Sequence, residues 1–96
     1  MILSMAHASV DDATATNMFG AWSNMVVQDR PNGLVDCYLL RGDDVAYVVS
    51  TWTTLEDHNR AIDDDDIHHP AFGLFSACGI DPNHMVLEIV GHIRGS

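Results

Sequence analysis

Lysine is absent from this sequence, and basic residues as a whole are scarce. Four arginines stand against 14 acidic residues, which gives the 96-residue chain a formal net charge of −10. Phosphate recognition depends on clustered Lys and Arg side chains that release counterions, and the four arginines are far apart along the chain. Nucleic acids and anionic membrane surfaces are therefore not expected as partners.

Long hydrophobic runs are also missing. No apolar stretch approaches the roughly 20 residues needed to cross a bilayer, and residues 1–7 lack the basic start and long apolar middle of a signal peptide. Hydrophobic residues make up 47% of the chain and charged residues 19%, a balance that predicts a folded core. We expect residues 1–96 to form one domain of a soluble, cytoplasmic protein.

Several chemical signatures are missing as well. Two cysteines, Cys37 and Cys78, are too few and too far apart for a disulfide framework or a zinc site. There is no G-x-G-x-x-G, Walker or G-x-S-x-G sequence, which excludes dinucleotide, ATP and elbow-type hydrolase chemistry. The acidic run 63–66, followed by His68 and His69, has neither an EF-hand glycine nor an H-x-x-x-H pair. We therefore expect no metal, and interpret the run as a solvated helix end.

Periodicity predicts the element order β-α-β-β-α-α-β. Strands are expected at 2–9, 34–40, 45–51 and 85–93, with 41–44 as a hairpin turn. The first helix follows Asp11 and Asp12, the second opens with a Thr53–Glu56 capping box, and the third starts at Pro70 and ends at Gly79. This order predicts an α+β, ferredoxin-like split β-α-β fold: a four-stranded antiparallel sheet with helices on one face. The predicted inner face of the first helix is Ala15, Met18, Phe19, Trp22, Met25 and Val26, and that of the third is Ala71, Leu74, Phe75 and Cys78.

The last two strands lack the polar alternation of a sheet with one wet face. Residues 45–52 alternate two apolar sets, and Met85, Leu87, Ile89 and Ile93 fall on one side of the last strand. Glu88 and His92 share its other side, where a buried interface pair is as plausible as catalysis. Something must cover the second sheet face, and a second copy of the chain, forming a homodimer, is the economical cover.

The second helix carries polar residues on its expected inner stripe. That stripe consists of Leu55, His58, Asn59 and Ile62, so a His and an Asn occupy its two central places. Inward polar groups need partners or a wet cavity. Trp52, at the end of the preceding strand, would complete an apolar slot with a few polar atoms, the usual character of a small-molecule site. Trp52 as a packed core residue and His58 as a hydrogen-bonded helix residue fit the same pattern.

The whole arrangement resembles the antibiotic biosynthesis monooxygenase (ABM) domain of the dimeric α+β barrel superfamily. The resemblance spans about residues 2–93 and rests on the element order, residues 31–34, the Trp52–His58 junction and the closing strand at 87–90. It implies a homodimer with two facing sheets and a pocket lined by Trp52. Haem-degrading members use an Asn on the first strand, where this chain offers Ser4 and His7, and their helix His follows the Trp at a longer spacing. Haem degradation is therefore not favoured.

With the inward polar residues of the second helix, this resemblance implies a cofactor-independent monooxygenase acting on a small aromatic, quinol- or anthrone-like substrate. No cofactor is expected, because the substrate carbanion itself can reduce oxygen. His58 would take a phenolic proton, while Asn59 or Trp52 donates a hydrogen bond to the developing oxyanion. A non-catalytic small-ligand- or haem-binding protein of the same fold remains an alternative, as does an isomerase or decarboxylase using the same His. The candidate catalytic residues are Trp52, His58 and Asn59, and the candidate substrate-binding residues are Trp22, Tyr38, His69, Phe72 and Phe75.

Overall fold

Four strands form one antiparallel sheet in the computed structural model, which describes residues 1–25, 30–63, 69–93 and 95. The strands are β1 (Ile2–Ser9), β2 (Leu34–Arg41), β3 (Val45–Trp52) and β4 (Asn83–Glu88), and the helices are α1 (Asp12–Met25), α2 (Leu55–Asp63) and α3 (Pro70–Ala77). The strand order across the sheet is β2-β3-β1-β4. Both the element order and the sheet order confirm the predicted α+β, ferredoxin-like fold.

One face of the sheet packs under the helices, and we call it the helix face. It carries small residues on the central strands, including Ser4, Ala6 and Ser50, all of which are buried. Small side chains let helices approach the sheet closely, and the helices supply Met18, Leu74 and Phe75 to the core. The buried core cluster consists of Ala6, Ala8, Met18, Ala46, Val48, Ala71, Leu74 and Phe75.

The opposite face of the sheet, which we call the open face, carries large apolar side chains. One row across it runs Tyr38, Val49, Met5 and Met85, in register from β2 to β4. Tyr38 is 54% exposed and Met85 44% exposed. The expected alternation of β3 is thus confirmed, and its apolar second face has no covering element within the described part of the chain.

Helix α1 begins as its sequence predicts but does not bury every residue of its expected face. The carboxylate of Asp11 accepts a hydrogen bond from the backbone N–H of Thr14 at 2.7 Å, as an N-cap does. Met18 is buried and Trp22 is half-buried against the core, whereas Phe19 is 68% exposed. The prediction of Phe19 as core was wrong, because the inward stripe of α1 is narrower than its apolar residues suggest. The Val26 prediction lies outside the described residues.

Helix α2 starts one residue later than the predicted capping box. The Thr54 hydroxyl, not that of Thr53, accepts from the N–H of Asp57 at 3.1 Å, and the N–H of His58 bonds to the Thr54 carbonyl. The Thr53–Glu56 box was therefore wrong. Glu56 instead forms an exposed ion pair with Arg60.

The buried side of α2 also differs from the predicted stripe. Its buried residues are His58 and Ala61. Leu55 is 49% exposed and Ile62 is 38% exposed, and Asn59 lies on the outside. His58 faces inward because Trp52 and the start of α3 pack around its ring, so tertiary contacts override the hydropathy of its neighbours.

Helix α3 matches its predicted bounds and face. His69 is its N-cap, Pro70 occupies the first turn, and Ala71, Leu74 and Phe75 are buried. Its end is a Schellman motif, in which Ile80 N–H bonds to the Phe75 carbonyl and Gly79 N–H to that of Ser76, with Gly79 at φ +70°.

Strand β4 ends earlier than expected. It pairs with β1 alone, and Glu88 lies opposite Ile2, the first residue of β1. The N–H of Ile89 still bonds to the Met1 carbonyl at 3.1 Å, but no residue of β1 lies opposite positions 89–93. Residues 89–93 are therefore not part of the sheet, and Val90 and Ile93 are almost fully exposed. The predicted strand at 85–93 and its Glu88–His92 pair were therefore wrong.

No described helix is both long enough and apolar enough to cross a membrane. Cys37 and Cys78 are free thiols.

Two glycines with positive φ, Gly33 in the loop before β2 and Gly79 after α3, allow a test of how closely that loop approaches Asp57. Gly33 has φ +86°, and a Cβ placed there would lie 2.5 Å from the Cβ of Asp57. Gly79 has φ +70°, and a Cβ there would meet nothing within 4 Å. We expect Gly79→Ala to cost about 1 kcal/mol of unfolding free energy and Gly33→Ala about 2–4 kcal/mol, because only Gly33 adds a clash to the backbone strain. Urea unfolding of both variants tests this, and equal losses would contradict the close approach.

Candidate functional site

Three histidines from three separate elements meet on the helix face of the sheet. His58 comes from α2, His69 is the N-cap of α3, and His84 lies in β4. One ring nitrogen from each lies within 4.8 Å of the others. The His58 and His69 rings are 4.9 Å apart between centroids and His58 and His84 are 5.5 Å apart. We call these three residues the histidine cluster.

Local structure explains why each ring arrives there. Trp52 ends β3 on the helix face, and the short turn at residues 53–54 starts α2 so that His58 lies over the Trp52 ring. His69 is fixed by Pro70, which starts α3. His84 lies opposite Ala6 of β1, and alternation along β4 therefore directs it to the helix face.

His58 has one ring nitrogen held and the other free. Its Nδ1 lies 3.1 Å from Oδ1 of Asn59, which can only accept, so Nδ1 carries the proton. Its Nε2 therefore carries a lone pair and no proton. That atom is buried and has no hydrogen-bond partner among residues 1–25, 30–63, 69–93 and 95. An unpartnered buried polar atom is costly and needs an explanation, and a lone pair facing two other imidazoles is suited to receive a proton or a ligand.

The other two histidines are joined through the hydroxyl of Ser4. The backbone N–H of Ala71 donates to Nδ1 of His69 at 3.2 Å, so the proton of His69 is on Nε2. Nε2 of His69 lies 3.4 Å from the Ser4 hydroxyl, and that hydroxyl lies 2.7 Å from Nε2 of His84. The chain of donors then runs from His69 to Ser4 to His84.

The surroundings favour the neutral form of His69 and His84. Burial, and then the proximity of His58 and His84, lowers the pKa of His69 from 6.5 to about 3. Burial and His58 also lower the pKa of His84. These two imidazoles are therefore neutral at pH 7, which is the form that accepts a proton or binds a metal.

Trp52 forms the floor of the cluster. It is fully buried, stacks on His69 at 5.2 Å between ring centroids, and meets the His58 ring edge-on at 5.4 Å. Its indole N–H donates to the Ser50 hydroxyl at 2.9 Å. The N–H is thus already engaged, and the suggestion that Trp52 donates to an oxyanion does not fit this geometry.

The structure brings together some of the predicted site residues and separates others. Trp52, His58 and His69 meet, Asn59 contacts His58 from outside, and the half-buried Phe72 lies 5.0 Å from His69 and 4.9 Å from His84 between ring centroids. Three predicted residues lie elsewhere: Tyr38 on the open face, Phe75 inside the core cluster, and Trp22 packed against that core from α1.

Sequence reasoning missed His84 and the role of Ser4, and His68, which follows the acidic run, lies outside the described residues. Had the last strand been predicted to start two residues earlier, it would have included His84. His84 would then lie on the same side of the strand as Val86, which is opposite Ser4 in the sheet. Finding this signal also requires knowing that β1 and β4 are neighbours, as they are in the sheet.

Comparisons with known proteins agree with this architecture. No protein-family model matches the sequence, and no curated protein matches it. Solved structures do match: a protein of Deinococcus radiodurans described as an antibiotic biosynthesis monooxygenase has a TM-score of 0.73 at 11% identity, covering 100% of this chain and 99% of its own. The chain has the fold of an ABM-like domain.

Two further structures carry the same ABM-like fold. SnoaB, a cofactor-independent oxygenase from Streptomyces nogalater, matches with a TM-score of 0.67 at 16% identity, over 98% of this chain and 97% of its own. The ActVA-Orf6 monooxygenase of Streptomyces coelicolor, in complex with nanaomycin D, matches with a TM-score of 0.73 at 13% identity, over 99% and 92%. The resemblance proposed from the sequence is confirmed at the level of the fold.

The lowered pKa of His69 predicts acid sensitivity. Because the folded pKa is about 3 and the unfolded value 6.5, the unfolded chain binds more protons below pH 6.5, so stability falls as pH falls through that value. Between pH 7 and pH 5 we expect the titration of His69 to lower the free energy of unfolding by about 2 kcal/mol. Urea unfolding with chelator present measures this, with His69→Asn as the control, since Asn keeps an N-cap but does not titrate. An equal pH slope in wild type and variant would refute the assignment.

Proposed function

We propose that this ABM-like protein is a cofactor-independent monooxygenase of a small aromatic, quinol- or anthrone-like substrate, with His58 as the general base. The observation that carries the proposal is the free lone pair on Nε2 of His58, buried beside the Trp52 and His69 rings. The shared fold with SnoaB and ActVA-Orf6 supports the reaction class. A shared fold does not identify the substrate.

The base is held in the form that the reaction needs. Asn59 accepts from Nδ1 of His58, which keeps Nε2 unprotonated and also stabilises the imidazolium that forms when Nε2 takes a phenolic proton. Asn59 is therefore a positioning residue rather than the oxyanion donor expected from the sequence.

The donor to the developing oxyanion is then His69. Its Nε2–H makes only a long contact of 3.4 Å with Ser4, so it is free to turn toward a substrate oxygen. The ring nitrogens of His58 and His69 lie within 4.8 Å of each other, a span that one substrate oxygen can bridge. The same oxygen would pass its proton to His58 and receive a hydrogen bond from His69.

The reaction balances without a bound cofactor. Once deprotonated, the electron-rich substrate reduces O₂ itself. For an anthrone-like CH₂ group, one oxygen atom becomes the new carbonyl, and the other leaves as water with the two hydrogens. The half-exposed ring of Phe72 would stack on such a substrate, and entry on the side of Phe72 and His84 avoids the buried core.

A homodimer is part of the proposal. The apolar row on the open face, from Tyr38 to Met85, supports a second copy as its cover. Sedimentation at micromolar concentration should give twice the 10.5 kDa chain mass. A monomer would remove this part of the proposal.

Oxygen uptake by chelator-treated protein tests the function. We expect uptake with at least one member of a panel of anthrones and hydroquinones, with one ¹⁸O atom from ¹⁸O₂ in the product and the other in water. Turnover that is unaffected by removing oxygen would support an isomerase or decarboxylase instead. A Soret band after haem addition, without uptake on any substrate, would support the haem-binding alternative.

A further inference from the structure

We infer that the histidine cluster is also a binding site for one divalent transition-metal ion of the Zn²⁺ type. His58 comes from α2, His69 is the N-cap of α3 and His84 lies in β4, and each places one ring nitrogen within 4.8 Å of the others. Neutral imidazole is a preferred ligand of Zn²⁺, Cu²⁺, Ni²⁺ and Co²⁺. Three such ligands with an open fourth position form the pattern of a site that also binds water or a small anion.

His58 is already arranged as a ligand. Its Nε2 is buried, unprotonated and without a hydrogen-bond partner in the described part of the chain. Its Nδ1–H is directed at Oδ1 of Asn59, 3.1 Å away. A metal-bound histidine almost always donates its second ring N–H to an oxygen in this way, which fixes its tautomer and orientation.

His84 requires only a small change. Its Nε2 currently accepts from the Ser4 hydroxyl at 2.7 Å and so already presents a lone pair to the cluster. A hydroxyl can rotate to another acceptor at little cost. The nitrogens of a tetrahedral zinc site lie about 3.4 Å apart, so closing the cluster from its present span of at most 4.8 Å requires each ring nitrogen to move by about 1 Å.

His69 is the ligand that must change most. Its Nδ1 accepts from the N–H of Ala71, so binding a metal through Nε2 requires the proton to move to Nδ1 and this helix cap to be lost. Losing an N-cap is expected to weaken binding by about tenfold. A tenfold loss is small compared with the affinity of structural and catalytic zinc sites, which spans many orders of magnitude. Three chelating imidazoles should therefore still bind the ion.

This inference does not rest on the proposed oxygenase reaction. A metal ion on Nε2 of His58 would occupy the lone pair that the reaction uses as its base, so the two states exclude each other. The metal-bound protein is then expected to be inactive in oxygen uptake, and the chelator-treated protein active. The chain's net charge of −10 favours cation binding at low ionic strength.

Metal retention and Co²⁺ absorption test the site. Chelator-treated, tag-free protein is incubated with Zn²⁺ or Co²⁺, passed through a desalting column and analysed for metal, and Zn²⁺ affinity is measured by calorimetry. We expect one ion per chain and the intense visible bands of four-coordinate Co²⁺. His58→Gln and His84→Gln should each weaken Zn²⁺ binding by at least about 100-fold, and Asn59→Ala by about tenfold.

His92→Gln is the matched control, since it makes the same chemical change at an exposed position outside the sheet. It should leave metal affinity unchanged. Absence of stoichiometric retention, octahedral Co²⁺ spectra, or equal affinity in His84→Gln and His92→Gln would overturn the inference. Metal retention combined with no oxygen uptake by the chelator-treated protein would contradict the oxygenase proposal alone. Oxygen uptake by the chelator-treated protein without metal retention would contradict this inference alone.

Discussion

Replacing His58 by glutamine is expected to lower the rate of oxygen uptake by about 10²- to 10⁴-fold in chelator-treated protein. Glutamine places an amide close to the position of Nε2 and fills most of the same buried space, but it cannot accept a proton at neutral pH. The loss should therefore appear in kcat at saturating substrate. Initial rates of oxygen uptake measure it with whichever aromatic substrate wild type turns over.

Two further variants separate a base from a residue that merely supports the fold. His92→Gln should retain full activity, because His92 is exposed and lies beyond β4. Asn59→Ala removes the acceptor of His58 Nδ1–H, so part of the population should move its proton to Nε2, and the pH profile of kcat should shift with a smaller loss of rate. If His58→Gln folds normally and turns over at the wild-type rate, His58 is not the base.

The fold was predictable from the sequence because its strongest signals are local. β1 has the predicted bounds, and α3 has its predicted proline start, buried face and glycine end. The hairpin of β2 and β3 follows from two β-rich segments around a Gly–Asp turn. Each signal involves neighbouring residues, and the order of elements then left few topologies.

The rotation of α2 could not be predicted in the same way. Hydropathy favours Leu55 and Ile62 as inward residues, yet both are more than one-third exposed while His58 is fully buried. The reason is nonlocal: the His58 ring packs against Trp52 and His69. Adjacent helix residues point about 100° apart, so His58 and Asn59 could not both face the centre of the site.

The site as a whole depends on distant parts of the chain meeting. Ser4 contacts His69 and His84, which are 65 and 80 residues away in sequence. Ending β4 at Glu88 follows from the start of β1, a constraint of pairing that the composition of residues 89–93 conceals. A histidine at a strand edge becomes a candidate ligand only when the strand register is known.

Replacing Trp52 by alanine is expected to cost about 3–5 kcal/mol of unfolding free energy, the largest stability effect we predict. The side chain is fully buried and touches both His58 and His69. Removing it leaves a cavity beneath the cluster, and it also leaves the buried Ser50 hydroxyl without the donor now 2.9 Å away. A domain of this size has roughly 5–10 kcal/mol of unfolding free energy in total, so the variant should lose about a third of it or more.

Trp52→Phe separates the contribution of buried packing from that of the hydrogen bond to Ser50. Phenylalanine keeps most of the aromatic packing but loses the N–H donated to Ser50, so we expect a loss of about 1–2 kcal/mol. Trp22→Ala is the matched control. Because Trp22 is only half-buried, this variant should lose less unfolding free energy than Trp52→Ala. Urea unfolding followed by far-UV circular dichroism compares all three without relying on tryptophan fluorescence. Equal losses for Trp22→Ala and Trp52→Ala would contradict the central position of Trp52, because the floor of the site would then carry no more of the stability than a residue at the edge of the core.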